Sequence, residues 1–332
     1  MVVDQTNNRS VQENRRLRKE YFGTDGIRGG VNRTPMTTVV LHSLGVALGG
    51  HLKSHFSQKR LCVVMGMDTR RSCKMLGAAF SAGLCAMGVD VVDLGVLPTP
   101  AVAWWVKRQE AVAGVMISAS HNPAADNGVK IFDHRGWKLA DDVEIALEQR
   151  MKSCLVGEMA WCAPEDVGTI IAQDDAALRY MKSLLGLLET EHPLAGKRIV
   201  LDAAHGAGYA IAPQLFRRLG AEVIAMHITP DGLNINHKAG SLHPEMLRAQ
   251  VLAHQAHVGL ALDGDADRLI VVDERGEVLD GDHLMMMSAF VLQQKKALPG
   301  DVVVATVMSN LGLERALSAR GIRLERTPVG DR

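Results

Sequence analysis

The sequence predicts an α/β protein made of tandem, similar domains, each a mixed sheet flanked by helices. Three observations predict it. An apolar strand, a helix ended by glycine and a second apolar strand recur three times along the 332 residues. Each pass closes on a Thr-Pro dipeptide: Thr99-Pro100, Thr229-Pro230 and Thr327-Pro328. The passes also lie about a hundred residues apart, a typical domain size. Strand, helix and strand with glycine stopping the helix is the unit of an α/β layer, and its recurrence points to duplication. One large sheet with three crossovers is the alternative that the pattern leaves open.

In order along the chain, residues 1–20 are polar and aperiodic and are expected to form a mobile tail. The first pass reads as strand 61–65, helix 72–87, Gly88 and strand 89–94. The second runs through strand 198–201, helix 210–219, Gly220 and strand 221–226, and the third through strand 301–305, helix 311–319, Gly321 and strand 322–325. A polar stretch with proline and glycine at 157–175 marks a boundary. Asp273-Glu274-Arg275-Gly276 reads as a hairpin turn and marks another. The expected domains are therefore 21–165, 174–272 and 273–332, with the third cut short.

Lysine plus arginine equals aspartate plus glutamate, 37 each, so no overall field favours nucleic acid. An anionic substrate would need local arginines. The longest apolar runs, 111–119 and 284–292, fall far short of the ~20 residues that span a bilayer. The basic cluster at 15–19 is followed by no apolar stretch of a secretory signal. Five cysteines without a CxxC spacing read as reduced packing thiols, and the expected location is the cytoplasm. Thirteen histidines invite metal readings, but the pairs His51/His55 and His254/His257 lack carboxylate or cysteine partners and read as surface or packing residues.

Asp263-Gly264-Asp265-Ala266-Asp267-Arg268 follows the apolar run 258–262. Alternate residues of an extended segment share a face, and a modest curl brings three carboxylates around one ion. Without a cation, two charges ~4 Å apart repel by about 4 kcal/mol at an effective dielectric near 20. All-oxygen ligands select magnesium over zinc. A solvated acidic turn is the plainer reading. A calcium EF-hand fails where Arg268 replaces the turn glycine and where an apolar strand, 269–272, follows. Arg268 is placed to hold a phosphate beside the ion.

A second apolar strand opens into Ser118-Ala119-Ser120-His121-Asn122-Pro123, with Lys130 a few residues on. Ser120, in a loop closed by Asn122-Pro123, is the candidate nucleophile and is expected to be exposed; Ser118 competes from within the strand. Lys130 is the candidate proton carrier. A turn with local side-chain bonds is the bland alternative. The glycine-rich segment 22–30 presents Arg28, which binds anions bidentately. Asp68-Thr69-Arg70-Arg71-Ser72 reads as a structural strand-to-helix turn with Ser72 as N-cap, Arg70 being the part able to reach an anion. A serine nucleophile and a hard-cation site on one chain suggest phosphoryl transfer.

Taken together and in this order, FGTDGIRG (22–29), GMDTRRS (66–72), GVMISASHNPAADNGVKIF (114–132), LDAAHGAG (201–208), GLNIN (232–236), GSLHPE (240–245) and LDGDADR (262–268) resemble the α-D-phosphohexomutase superfamily over residues 21–332. TDGIRG and GLNIN…GSLHPE point to its glucosamine branch, with the mannose and glucose branches as alternatives. The resemblance implies that Ser120 carries a phosphoryl group, with His121 beside it in the loop. It implies that Asp263, Asp265 and Asp267 hold Mg²⁺ together with that phosphoserine. Lys130 would serve as acid and base, and Arg28 and Arg268 would offset charge. The implied reaction interconverts glucosamine 6-phosphate and glucosamine 1-phosphate through a 1,6-bisphosphate, toward cell-wall precursors, with a phosphorylated hexosamine as substrate and a homodimer as a possible assembly. The superfamily also has a fourth domain with an RxSGTEP-like loop and a GGEQSGH-like loop in its third; neither string occurs here. A truncated chain with the third domain incomplete and the fourth absent is therefore expected, with little turnover as one outcome. An aspartyl phosphatase using Asp263 is the rival enzyme.

Overall fold

The computed structural model describes residues 19–157 and 159–330. They fall into two compact units, the first running to Tyr180 and the second starting at Met181.

The first unit contains β1 (Ile27–Gly30), α1 (Thr38–His55), β2 (Leu61–Met67), α2 (Cys73–Ala86), β3 (Val89–Val96), α3 (Thr99–Arg108), β4 (Ala113–Ile117), β5 (Asp126–Asp133), α4 (Asp141–Leu155) and β6 (Ile170–Ala172). They form one six-stranded sheet in the order β1-β5-β4-β2-β3-β6. β2 pairs in parallel with β3 and β4, whereas β5 runs antiparallel between β4 and β1. β2 and β4 are almost fully buried and read as unbroken apolar runs, as strands covered on both faces do. Leu44, Leu48, Leu76, Phe80 and Leu84 of α1 and α2 fill the core on one face.

The expected tail lies outside the described residues except for Lys19 and Glu20, and these two are tied down. Lys19 pairs with Asp141 and Glu144. The buried Glu148 carboxylate accepts the main-chain N–H groups of Glu20, Tyr21 and Phe22 at 2.7, 2.7 and 2.8 Å. Both contacts set how the chain enters β1.

Helix α5 (Ala176–Leu185) spans the division between the units. The second unit holds β7 (Arg198–Asp202), α6 (Ile211–Arg218), β8 (Glu222–Met226), α7 (Glu245–Ala253), β9 (Val258–Leu262), β10 (Leu269–Asp273) and β11 (Val278–Leu279). Its five-stranded sheet has the order β11-β10-β9-β7-β8. The turn expected at 273–276 is present, with Gly276 at φ 83°. A boundary placed after Val272 falls inside this hairpin, because β11 pairs back onto β10. α8 (Gly281–Gln294), β12 (Val302–Thr306), α9 (Leu311–Ser318) and β13 (Arg323–Thr327) follow, with β12 and β13 forming a separate parallel pair around a small core of Ala289, Ala305, Leu313, Leu317 and Ile322. Among the described residues the three passes thus build three separate sheets, not one.

Candidate active site

Parallel pairing of β2 with β4 brings together two motifs fifty residues apart in sequence. Met67 lies opposite Ile117, so Asp68 and Ser118 leave neighbouring strands at the same carboxyl edge, where α/β sheets place their ligand sites. The Asp68 carboxylate is buried and accepts the Ser118 hydroxyl at 2.6 Å and the Arg70 Nε at 2.9 Å. Ser118 Oγ in turn accepts the Ser120 N–H at 2.9 Å. Ser118, fully buried and spent on these bonds, is thereby removed as the nucleophile.

Ser120 has φ 53°, a left-handed conformation that a non-glycine residue keeps only when its surroundings impose it. Arg70 imposes it. Its guanidinium is buried and donates to the carbonyls of Ser120 at 3.0 Å, Asn122 at 2.8 Å and Asp126 at 3.1 Å, and to that of Pro123. The sequence suggested that Arg70 could reach an anion; instead every bond it makes to the loop goes to a carbonyl oxygen. Ser72 does not cap α2 either: it makes no capping bond, and its hydroxyl accepts from Asn127 Nδ2 at 2.8 Å. The expectation that Ser120 is exposed is also corrected, since only 2% of its surface is accessible. His121 follows it, half-buried.

Arg28 on β1 faces Gly128 on β5, and Lys130 lies two residues along, so both cations project from one face of the sheet. Asp25 gathers them. It pairs with Arg28 and Lys138, and Lys130 Nζ lies 3.5 Å from its Oδ2. Burial pushes the Asp25 carboxyl up, but Lys130, Lys138 and Arg28 outweigh burial and hold it below its ordinary 3.8. Neither Asp25 nor Lys138 was singled out from the sequence. A lone aspartate in a glycine-rich segment carries no signal until β1 and β5 are paired.

In the second unit, β9 ends at Leu262 and the next residue, Asp263, is buried. The main-chain turn from Ala266 N to Asp263 O, 3.0 Å, curls the segment, with Ala266 at φ 55°. Ligand atoms of Asp263, Asp265 and Asp267 then lie within 4.8 Å of one another, the first two buried and the third exposed. Arg268 donates to Asp263 Oδ2 through Nε at 2.9 Å and Nη2 at 2.7 Å. Burial opposes the charge on Arg268, and Asp263, then Asp267 and Asp265, raise its pKa above the ordinary value. The donor set is all carboxylate oxygen, which fits a hard divalent cation.

The loops after β7 support this turn from below. Ala207 N donates to Gly264 O at 2.7 Å. Gly240 has φ 75°, and a Cβ there would sit 2.4 Å from Leu262 O, so the segment that opens at Gly240 presses directly under the end of β9. The fully buried Asp202 carboxylate organises these segments: it accepts Ala204 N at 2.8 Å, Gly240 N at 2.9 Å and His227 Nδ1 at 2.9 Å. The bond to Asp202, against burial, raises the His227 pKa, whereas burial and His227 lower that of His205, whose ring lies 5.1 Å away.

With this geometry in place, comparison with known proteins identifies the class. Family models for phosphoglucomutase/phosphomannomutase α/β/α domain I, domain II and domain III match residues 19–155, 179–276 and 280–332. The chain belongs to the phosphoglucomutase/phosphomannomutase family. Curated relatives carry a narrower name. A phosphoglucosamine mutase of Symbiobacterium thermophilum is 50% identical over 311 residues, 94% of this chain and 68% of that protein. Another, from Caulobacter vibrioides, is 47% identical over 315 residues, 95% of this chain and 70% of its own length. The chain thus spans about two thirds of the relatives it matches. A phosphoglucomutase/phosphomannomutase family protein from Burkholderia thailandensis shares the fold at TM-score 0.80 and 28% identity, over 93% of this chain and 66% of that one. The phosphoglucomutase parafusin of Paramecium shares the fold alone, at TM-score 0.72 and 16% identity, over 93% and 62% of the two chains.

Proposed function

We propose that this protein is a phosphoglucosamine mutase that interconverts glucosamine 6-phosphate and glucosamine 1-phosphate through a phosphoserine at Ser120. The observation that carries the reading is the serine loop itself: Ser120 is held in a left-handed conformation by a buried clamp, with Arg28 and Lys130 on the adjoining strands of the same sheet. Phosphoryl transfer depends on positioning and charge neutralisation far more than on covalent help from side chains. In the first transfer, a sugar hydroxyl oxygen bonds to phosphorus as the bond to Ser120 Oγ breaks; the Lys130 ammonium gives a proton to the departing Oγ and takes up the proton of the sugar hydroxyl. The resulting 1,6-bisphosphate then returns its other phosphoryl group to Ser120, and the Ser120 hydroxyl proton reaches the freed sugar oxygen by way of Lys130. Arg28 holds anionic oxygens beside the serine, His121 lines the same loop, and Arg268 serves the phosphate side of the acidic turn. Asp263, Asp265 and Asp267 would hold Mg²⁺, which supplies neutralisation of phosphoryl charge when bound.

The aspartyl phosphatase reading gains nothing from the site. Asp263 Oδ2 accepts two guanidinium bonds, and its Oδ1 accepts the amides of Asp267 and Arg268 at 3.2 Å, which suits a fixed ligand better than an attacking oxygen. Incubation with radiolabelled glucose 1,6-bisphosphate should leave acid-stable label on Ser120, absent from Ser120→Ala. Label on the alanine variant, or acid-labile label on Asp263, would overturn the assignment.

A further inference from the structure

We propose that Arg70 is a positioning residue for the reacting serine, acting by withdrawing the carbonyl oxygens of its loop from the site of phosphoryl charge; this rests on the Ser120 phosphoserine reading. A guanidinium has five N–H donors and no acceptor. In Arg70 all five are used: Nε goes to Asp68 Oδ2, two bonds from Nη1 go to the carbonyls of Pro123 and Asp126, and two from Nη2 go to those of Ser120 and Asn122. Arg70 is 3% exposed, so no donor is left over for a ligand. Asp68 fixes the guanidinium in turn, through its Nε and through the Arg70 main-chain N–H at 2.9 Å.

The consequence is electrostatic as well as geometric. Four carbonyl dipoles that would repel a phosphate dianion are turned inward onto a cation. The Ser120–His121 peptide group is planar, so with its carbonyl pulled toward Arg70 the His121 N–H points the opposite way. The same bonds hold Ser120 at its positive φ. Positive charge alone cannot do this: a lysine ammonium carries three donors on one atom and cannot serve five separated acceptors. The role belongs to the shape of the guanidinium.

The test compares Arg70→Lys with the unsubstituted full chain. Phosphate incorporation at Ser120 from glucose 1,6-bisphosphate is followed in single turnover, and amide hydrogen exchange is followed across residues 113–133. The expected result is a rate constant about 100-fold lower, the size of effect that misplacing a reacting group by about 1 Å can produce. The final labelled fraction should stay near that of the unsubstituted chain. Exchange should quicken at 120–126 while β4 stays protected. A merely structural role would lower the labelled fraction or the thermal midpoint and leave the rate constant of the folded molecules unchanged; that result overturns the proposal. If the unsubstituted chain takes up no label, the phosphoserine reading fails instead, and the exchange arm still decides the clamp: unchanged exchange at 120–126 in Arg70→Lys rejects it. Should Arg70→Lys not fold, Ser118→Ala, which removes the hydroxyl joining Asp68 to the Ser120 amide, should slow incorporation about 10-fold by the same loosening; an unchanged rate there counts against the proposal.

Discussion

In the first unit the serine loop leaves β4 beside its parallel partner β2, and a buried cation just after β2, Arg70, gathers carbonyl oxygens behind it. In the second unit the acidic loop leaves β9 beside its parallel partner β7, and a buried anion at the end of β7, Asp202, gathers N–H groups beneath it. The plan is shared and the sign is reversed. The loop proposed to carry a phosphate has its own carbonyls withdrawn by Arg70, whereas Asp202 binds N–H groups of the segments that support the acidic loop, whose own Asp267 and Arg268 amides go to Asp263 Oδ1.

The sharpest way to break the comparison is at the acidic loop. Asp265→Asn should cost about 100-fold or more in phosphoryl transfer, since a bound metal is worth several kcal/mol to the transition state. It should also remove the stabilisation that magnesium gives, about 2.7 kcal/mol at a hundredfold excess over Kd. Without magnesium the variant should be no less stable than the parent, because one like-charge repulsion is gone. Thermal unfolding with and without Mg²⁺ checks both; a full magnesium response in the variant would place the ion elsewhere.

Gly240→Ala comes next. Its Cβ would meet Leu262 O at 2.4 Å and Ala204 Cβ at 2.5 Å, at a positive φ. The expected loss is about 3 kcal/mol, read from urea unfolding of the second unit. A neutral outcome would mean that the support beneath β9 is soft.

Asp25→Asn should cost about 1–2 kcal/mol, limited by the partial exposure of the ion pairs. The Asp25 pKa is depressed in the folded protein, so its contribution is present above about 3.8 and is lost as pH falls through the folded value. The parent should therefore lose stability on acidification to a greater degree than Asp25→Asn. Added phosphate should stabilise the variant more than the parent, since three cations then lack their shared anion.

The smallest effect is expected at His227. Its folded pKa is raised, so its contribution is complete below about 6.5 and drains as pH climbs through the folded value. His205 has the opposite sign and costs stability as pH falls below about 6.5. Melting temperatures of the parent should thus decline from neutral pH upward relative to those of His227→Gln. Parallel curves would detach this pair from the Asp202 support.

Much of the site could be read in the chain because its ligating and nucleophilic residues sit in short local strings. Asp263, Asp265 and Asp267 are spaced by the geometry of an extended segment, and Ser120 follows an apolar run that can only be a buried strand. The supporting residues could not be read this way. The segment 68–72 reads as a structural turn with Arg70 as the part able to reach an anion; only the pairing of β2 with β4 surrounds that guanidinium with carbonyls. Asp25 and Asp202 carry no local signal either, since each has only one nearby partner and takes the rest from distant parts of the chain, Lys130 and Lys138 for Asp25 and His227 and Gly240 for Asp202. Ser72 had the sequence of an N-cap, yet Asn127 across the sheet claimed its hydroxyl.

By itself the sequence determined the alternation of strands and helices, the glycine stops and the two loops that carry chemistry, because these depend on the period of side chains along a few residues. The tertiary structure decided which buried charges hold those loops, and with what sign. A hydrogen bond between residues fifty or more positions apart exists only once strand order and register have brought its two ends to one edge of a sheet.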